Sequence, residues 1–293
     1  MTRRDLGGVF APITTPFDAA SGDVSPEHLK ANVARLFANG LDGTVVAGST
    51  GEAPLLDPDE QRRAVAWTRE ATPDGKWLIA GTGAESTRQA IALTRGAAAE
   101  GADAVLVRPP SYFPPVAARA LANYYRAIAD ASPVPVLVYN IPKYTHVSLP
   151  AELLQELSTH SRVVGVKDSS GDLKNLAAYR EAAPEWAVFV GSASLLLPAL
   201  ELECDGGIVA VACFAARLCA DLAAAFHAGD RAAATALQDR IIPLDKEIVS
   251  KLGPAGVKAA MDAVGLYGGP PRPPLAPLGP AERERVALLV RGD

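Results

Sequence analysis

Val163-Val164-Gly165-Val166-Lys167, then Asp168-Ser169-Ser170-Gly171-Asp172, then the stretch Leu173–Ala183, is one copy of the unit that builds this chain. A short β-branched run ends in small and polar residues, and an amphipathic Ala/Leu-rich segment follows. The run reads as a strand buried on both faces and the segment as a helix. Working outward, the same unit recurs. Strands are expected at Gly8–Thr14, Gly43–Gly48, Trp77–Gly81, Ala104–Arg108, Val134–Tyr139, Val163–Lys167, Ala187–Gly191 and Gly207–Val211. Helices follow them at Pro26–Ala38, Pro58–Ala71, Thr87–Glu100, Val116–Asp130, Pro150–Thr159, Leu173–Ala183, Leu195–Glu201 and Ala215–Ala228. Ser25-Pro26 and Asp57-Pro58 read as N-cap and first helical residue, with Glu60 completing a capping box. Gly40 and Gly101 stand where helices end.

Eight such units within about 230 residues predict an α/β fold, a (β/α)8 TIM barrel. The rival is a doubly wound sheet. Its phosphate-binding GxGxxG is missing from the first strand-helix turn, and Gly81-Thr82-Gly83-Ala84 lacks the third glycine. About 65 residues remain, with helices expected near Arg231–Lys251, Ala255–Val264 and Ala281–Val290. The Pro-rich segment Gly268–Pro274 reads as an ordered connection on the barrel surface rather than a polyproline ligand. Nothing resembling a linker interrupts the chain. One domain over 1–293 is expected, with the barrel at about 7–228 and C-terminal helices at about 229–293.

Composition narrows the function. The chain has 293 residues, 49% of them hydrophobic and 21% charged, enough for a large core. A net charge of -5 offers no basic footprint for nucleic acid. Charges break every apolar run before the ~18 residues a membrane span needs. Arg3-Arg4 would open a twin-arginine export signal, but Thr14, Thr15 and Asp18 break the apolar stretch that should follow. The three cysteines, Cys204, Cys213 and Cys219, form neither a disulfide framework nor a zinc pattern, and the four histidines are scattered. A cytoplasmic protein without metal or organic cofactor is expected.

A barrel of this kind carries its chemistry at the C-terminal strand ends. Strand six ends at Lys167. With Val164 and Val166 facing the helices, side-chain alternation turns Gly165 and Lys167 inward, and Gly165 leaves room beneath the long side chain. Desolvation penalises an ammonium ion, and a neutral amine attacks a ketone to form a Schiff base. The plainer alternative is a lysine at the rim or one paired with Asp168. Strand five turns Leu137 and Tyr139 inward by the same parity, and a phenol there can relay protons. A core tyrosine with a satisfied hydroxyl is the plainer alternative. Ser49-Thr50-Gly51, at the end of strand two, offers hydroxyls and backbone N–H groups suited to a small carboxylate. Alternatively it is an ordinary turn with Glu52 in a salt bridge. All three groups converge on one barrel mouth.

Five dispersed segments now carry a resemblance over essentially the whole chain. They are Ala11–Phe17, the GSTGE of 48–52, the GTGAEST of 81–87, the YNIP of 139–142 and the GVKDSSGD of 165–172, joined by the tail around Gly265–Leu275. The sequence resembles the dihydrodipicolinate synthase / N-acetylneuraminate lyase family of class I aldolases and lyases. The resemblance implies Lys167 as the Schiff-base lysine and Tyr139 as the proton-relay tyrosine beside it. It implies Ser49 and Thr50, with Gly51, as holders of a pyruvate-type carboxylate, Thr50 also aiding the relay. After a one-residue adjustment, Tyr112 is similar to the tyrosine that reaches across a subunit interface toward the site. Gly191 and Val209 would line the pyruvate pocket. A homo-oligomer, dimer or tetramer, is implied with these roles.

Substrate choice lies beyond pyruvate. The dihydrodipicolinate synthases place an arginine two residues after the YNxP proline, for the aldehyde's carboxylate. Here that residue is Tyr144, one neutral donor in place of a charged fork, with Lys143 beside it. The neuraminate lyases carry Gln-Thr after the lysine; here it is Asp168-Ser169. The Lys-Asp-Ser-Ser segment looks more like 4-hydroxy-2-oxoglutarate and 2-keto-3-deoxy-sugar-acid aldolases, with Ser169 bonding a substrate hydroxyl. The expectation is reversible cleavage of a 4-hydroxy-2-oxo acid to pyruvate and an aldehyde. The alternatives are dihydrodipicolinate synthesis, a keto-deoxy-sugar-acid dehydratase, and a pyruvate-binding sensor without turnover.

Overall fold

Eight strands close on themselves in chain order: β1 (Gly8–Pro12), β2 (Gly43–Val46), β3 (Trp77–Gly81), β4 (Ala104–Val107), β5 (Val136–Asn140), β6 (Val163–Asp168), β7 (Ala187–Val190) and β8 (Gly206–Ile208), with β8 pairing back onto β1. All pairings are parallel. This computed structural model describes residues 6–114 and 116–292. Arg3 and Arg4 lie outside the described residues.

The outer ring is α1 (Pro26–Ala38), α2 (Pro58–Ala71), α3 (Thr87–Ala99), α4 (Ala118–Ala131), the short α5 (Pro142–Thr145), α6 (Ala151–Leu157), α7 (Leu173–Ala182), α8 (Leu196–Glu201) and α9 (Ala216–His227). Local chemistry starts these helices where expected. Asp57 accepts from the Glu60 N–H at 2.8 Å and Glu60 answers at the Asp57 N–H at 3.0 Å. Gly40 and Gly101 adopt the positive φ expected of helix-ending glycines. α5 escaped prediction because four residues are too few to show a helical period.

Alternation splits the apolar side chains into two cores. Val46, Val105, Val138 and Val188 face the helices, whereas Phe10, Val45, Ile79, Leu137 and Phe189 fill the barrel. The rings of Phe10 and Phe189 meet edge to face at 5.4 Å, so the barrel interior is packed rather than open. Truncating either ring to alanine costs about 3–5 kcal/mol.

One parity expectation is corrected. Val163 pairs with Val136 and Gly165 with Leu137, leaving Val164 as an extra residue. This β-bulge turns Val164 toward the inner core instead of the helices. Beyond the bulge the alternation holds, with Val166 outward. Gly165 serves a different need from the one expected: a Cβ there would lie 2.5 Å from the Ala187 carbonyl oxygen on β7. Close strand approach, not room for Lys167, excludes a side chain.

The tail also departs from expectation. α10 (Arg231–Pro243) runs into a π-helical stretch, Leu244–Ser250, and then α11 (Lys251–Ala263), before the final α12 (Pro280–Arg291). Pro243 and Pro254 remove backbone donors, and Gly253 leaves the helical region at φ 58°, ψ -147°, kinking the chain. The expected break between Arg231–Lys251 and Ala255–Val264 falls at this kink, and the departure is that the second half of the first stretch, Leu244–Ser250, winds as a wide π-helix. Gly268–Pro274 packs on the barrel through Arg272, whose guanidinium forks onto Glu60 at 2.6 and 2.7 Å. Among the described residues no helix is long and apolar enough to cross a membrane.

Candidate active site

β5 and β6 place the candidate catalytic pair. Tyr139 and Lys167 are direct neighbours across the two strands. Lys167 is 4% exposed, and its Nζ lies 4.3 Å from the centroid of the Tyr139 ring. Among the described residues no hydrogen bond engages this nitrogen. Asp168 does not claim it. Alternation turns that carboxylate the other way, where it accepts from Asn140 Nδ2 and Ser170 Oγ, both at 2.6 Å. Burial pushes the Asp168 carboxyl above its ordinary range, opposed by the bonds from Ser170 and Asn140. Ser169 Oγ sits 3.5 Å from the Tyr139 hydroxyl. Gly191, at the end of β7, is needed there because a Cβ would collide with Ser169 Oγ.

These groups open into a cavity of about 320 Å³, within the usual size of a small-molecule site. Ser49 and Thr50 come in from the turn after β2, and Tyr144 from α5. Seven expected residues thus share one cavity: Lys167, Tyr139, Ser49, Thr50, Ser169, Gly191 and Tyr144. Three do not. Gly51 lies behind the wall, its carbonyl accepting from Thr15 Oγ1 at 2.6 Å. Val209 points into the outer core, and its alternating neighbours Ile208 and Ala210 line the cavity instead. Tyr112 stands outside, 76% exposed, stacked edge to face on the exposed Phe113. Its loop is held by Glu85, which accepts from the Ser111 and Tyr112 N–H groups at 2.9 Å and from Arg108 at 3.0 Å. Partial burial alone would push Glu85 up. The donors outweigh it and hold the carboxyl down to about 2.

The tail supplies what the sequence did not signal. Asp245, in the π-helical stretch, lines the cavity and is 3% exposed. Its Oδ2 accepts from Ser192 Oγ at 2.7 Å, the Ser194 N–H at 2.8 Å and Ser194 Oγ at 2.7 Å. Lys143 is drawn to the tail as well, donating to the Ser250 carbonyl at 2.9 Å. An Asp-Lys-Glu run in a helix reads as a solvated face; only the wide turn directs Asp245 inward.

A packed barrel with a buried lysine against a tyrosine, facing a hydroxyl-bearing turn, is the arrangement expected from the motifs. The dihydrodipicolinate synthetase family profile matches residues 5–292. The chain belongs to this family. Its relatives include the 4-hydroxy-tetrahydrodipicolinate synthase of Synechococcus sp. (strain CC9605), 38% identical over 277 residues, covering 93% of this chain and 90% of the other. Among solved structures, dihydrodipicolinate synthase DapA-2 of Bacillus anthracis superposes with a TM-score of 0.93 at 29% identity, covering 98% of both chains. YagE of Escherichia coli K12, a family member solved in complex with pyruvate, gives 0.93 at 25% identity with the same coverage. The chain is accordingly a lyase of the Schiff-base aldolase type.

Proposed function

We propose that this lyase reversibly cleaves a 4-hydroxy-2-oxo acid to pyruvate and an aldehyde, with Lys167 forming the Schiff base. The Schiff-base step is supported by the Lys167 nitrogen, buried 4.3 Å from the Tyr139 ring centroid in the cavity, and the observation that carries cleavage over synthesis is Tyr144 in the cavity wall where a carboxylate-binding arginine would stand. Neutral Lys167 adds to the C2 ketone, and Tyr139 gives its proton to the departing hydroxyl, which leaves as water as the iminium forms. The iminium draws the C3–C4 electron pair as Tyr139 takes the proton of the C4 hydroxyl. The aldehyde departs, the enamine regains a proton at C3, and water releases pyruvate. Ser49 and Thr50 hold the substrate carboxylate, with Thr50 aiding the relay. Ser169 bonds a substrate hydroxyl, and Tyr112 reaches the site of a second copy in a homo-oligomer. We place this chemistry in the cytoplasm and in one domain.

The wall beyond pyruvate favours a neutral, hydroxylated tail. It presents Ser169, Ser170, Ser192, Tyr144 and the carboxylate of Asp245. Its cation, Lys143, is engaged by the tail carbonyl. A 2-keto-3-deoxy sugar acid suits this wall better than 4-hydroxy-2-oxoglutarate, whose second carboxylate would meet Asp245. A second reading, 4-hydroxy-tetrahydrodipicolinate synthesis, is favoured by the names of relatives 35–38% identical. It starts from the same pyruvate Schiff base but needs a partner for a second carboxylate, where this chain has Tyr144.

The test begins with trapping. Pyruvate and borohydride should give one adduct, mapped to Lys167. A substrate panel then separates the readings. Faster cleavage of 2-keto-3-deoxygluconate than of 4-hydroxy-2-oxoglutarate is expected. Efficient condensation of pyruvate with a carboxylate-bearing amino-aldehyde, and no cleavage of either acid, would move the second reading to the front.

A further inference from the structure

Behind the 48–52 turn lies a buried ion pair to which the mechanism above gives no role. Glu52 is 2% exposed and sits in the left-handed region at φ 58°, ψ 31°, a conformation that disfavours residues other than glycine. Its backbone closes the turn, the N–H donating to the Ser49 carbonyl at 3.1 Å. Its carboxylate points away from the cavity into the tail. There one oxygen meets Lys258 Nζ at 2.6 Å and the other accepts from the Arg272 N–H at 2.8 Å. Lys258 is 1% exposed and lies on α11, directly after the cavity-lining Val257. It also donates to the Pro270 carbonyl at 2.8 Å and sits 4.4 Å from the centroid of the Phe17 ring. Burial lowers its tendency to hold a proton, and Glu52 opposes that effect.

Stability alone is a poor reason for such a pair, since apolar residues of similar volume often replace buried ion pairs without loss. Position supplies a better one. The turn that Glu52 ends carries Ser49 and Thr50 to the cavity, and two residues from Thr50 a bare carboxylate would repel an incoming anion. We propose that Glu52 and Lys258 are positioning residues for capture of the substrate carboxylate: the pair fixes the turn that presents Ser49 and Thr50, and Lys258 cancels the charge of Glu52 behind it. The proposal rests on the reading that this turn binds the carboxylate.

The experiment uses the full chain and measures the pyruvate concentration giving half-maximal borohydride-trapped adduct, alongside thermal melting. Lys258→Met should raise that concentration about thirtyfold while the trapping rate at saturating pyruvate stays within about twofold. Glu52→Gln/Lys258→Met removes both charges and should raise it only about fivefold, through lost positioning alone. An unchanged value in folded Lys258→Met overturns the proposal. A double variant as impaired as the single one overturns the charge-cancelling role. Where Lys258→Met does not fold, the double variant decides, and a wild-type value in it overturns positioning. Two controls separate this failure from that of the underlying reading. No adduct in the wild type removes the Schiff-base chemistry itself. An unchanged value in Ser49→Ala/Thr50→Val removes the turn as the carboxylate site.

Discussion

The two walls of the cavity are built in opposite ways. Lys167 and Tyr139 stand on adjacent strands, each aimed by the alternation of its own strand and fixed by one register. The 48–52 turn is aimed from far away: Glu52 leans on Lys258 and on the backbone of Arg272, the latter 220 residues distant in sequence. The reacting wall follows from local rules, the wall facing it from tertiary contacts. A substitution in the first should therefore strike chemistry and leave the fold alone. One in the second should strike binding and stability together.

The largest expected effect lies on the reacting wall. Lys167→Ala should lower turnover at least about 10⁴-fold and abolish trapping, with an unchanged melt. Substantial residual cleavage would remove Lys167 from the mechanism. Tyr139→Phe comes next: kcat should fall about 10²–10⁴-fold while the pyruvate adduct still forms. A wild-type rate would end the relay role and leave the ring as packing. On the opposite wall, Arg272→Met deletes the fork onto Glu60 and should destabilise by about 2 kcal/mol, read by denaturant titration. Loss of activity without loss of stability would contradict the contrast between the walls.

Two smaller effects sharpen the picture. Asp245→Asn should raise the kcat/KM of a carboxylate-tailed substrate, relative to a hydroxyl-tailed one, about tenfold. A constant ratio would make Asp245 only a clasp for Ser192 and Ser194. Glu85 gives the pH test. Its carboxyl is lowered from 4.5 to about 2, so its hold on the 108–112 loop is complete above about 4.5 and is lost as pH falls toward 2. Protection of the Ser111 and Tyr112 amides, the intrinsic exchange rate at each pH divided by the observed one, should fall over that window. Glu85→Gln should be less protected at neutral pH, with a protection that hardly changes over the window; identical protection profiles would exclude Glu85 as the clamp.

This contrast also explains what could be read from the sequence. The eight strands, the capping box of α2 and the inward pair Lys167 and Tyr139 were legible because periodicity and caps act over a few residues. The bulge at Val164 was not, because it depends on how β6 pairs with β5. The resemblance implied Val209 for the pocket, but the alternation of β8 turns it into the outer core, just before the tight turn at Ala210–Cys213. Asp245 was hidden because a wide helical turn, not a helical period, directs it inward. A salt bridge at Glu52 was foreseen as the plain alternative for that turn, but its partner was not, since nothing near Glu52 in sequence points to residue 258.

The contact between Glu52 and Arg272 also sets a timetable. On the ribosome the strands that bear Tyr139 and Lys167 exist well before residue 272 is made. A nascent chain can therefore hold both residues while the 48–52 turn still lacks the backing of the tail. Such sequence-distant contacts are slow to form. On the role proposed for that turn, substrate capture is then among the last properties the folding chain acquires.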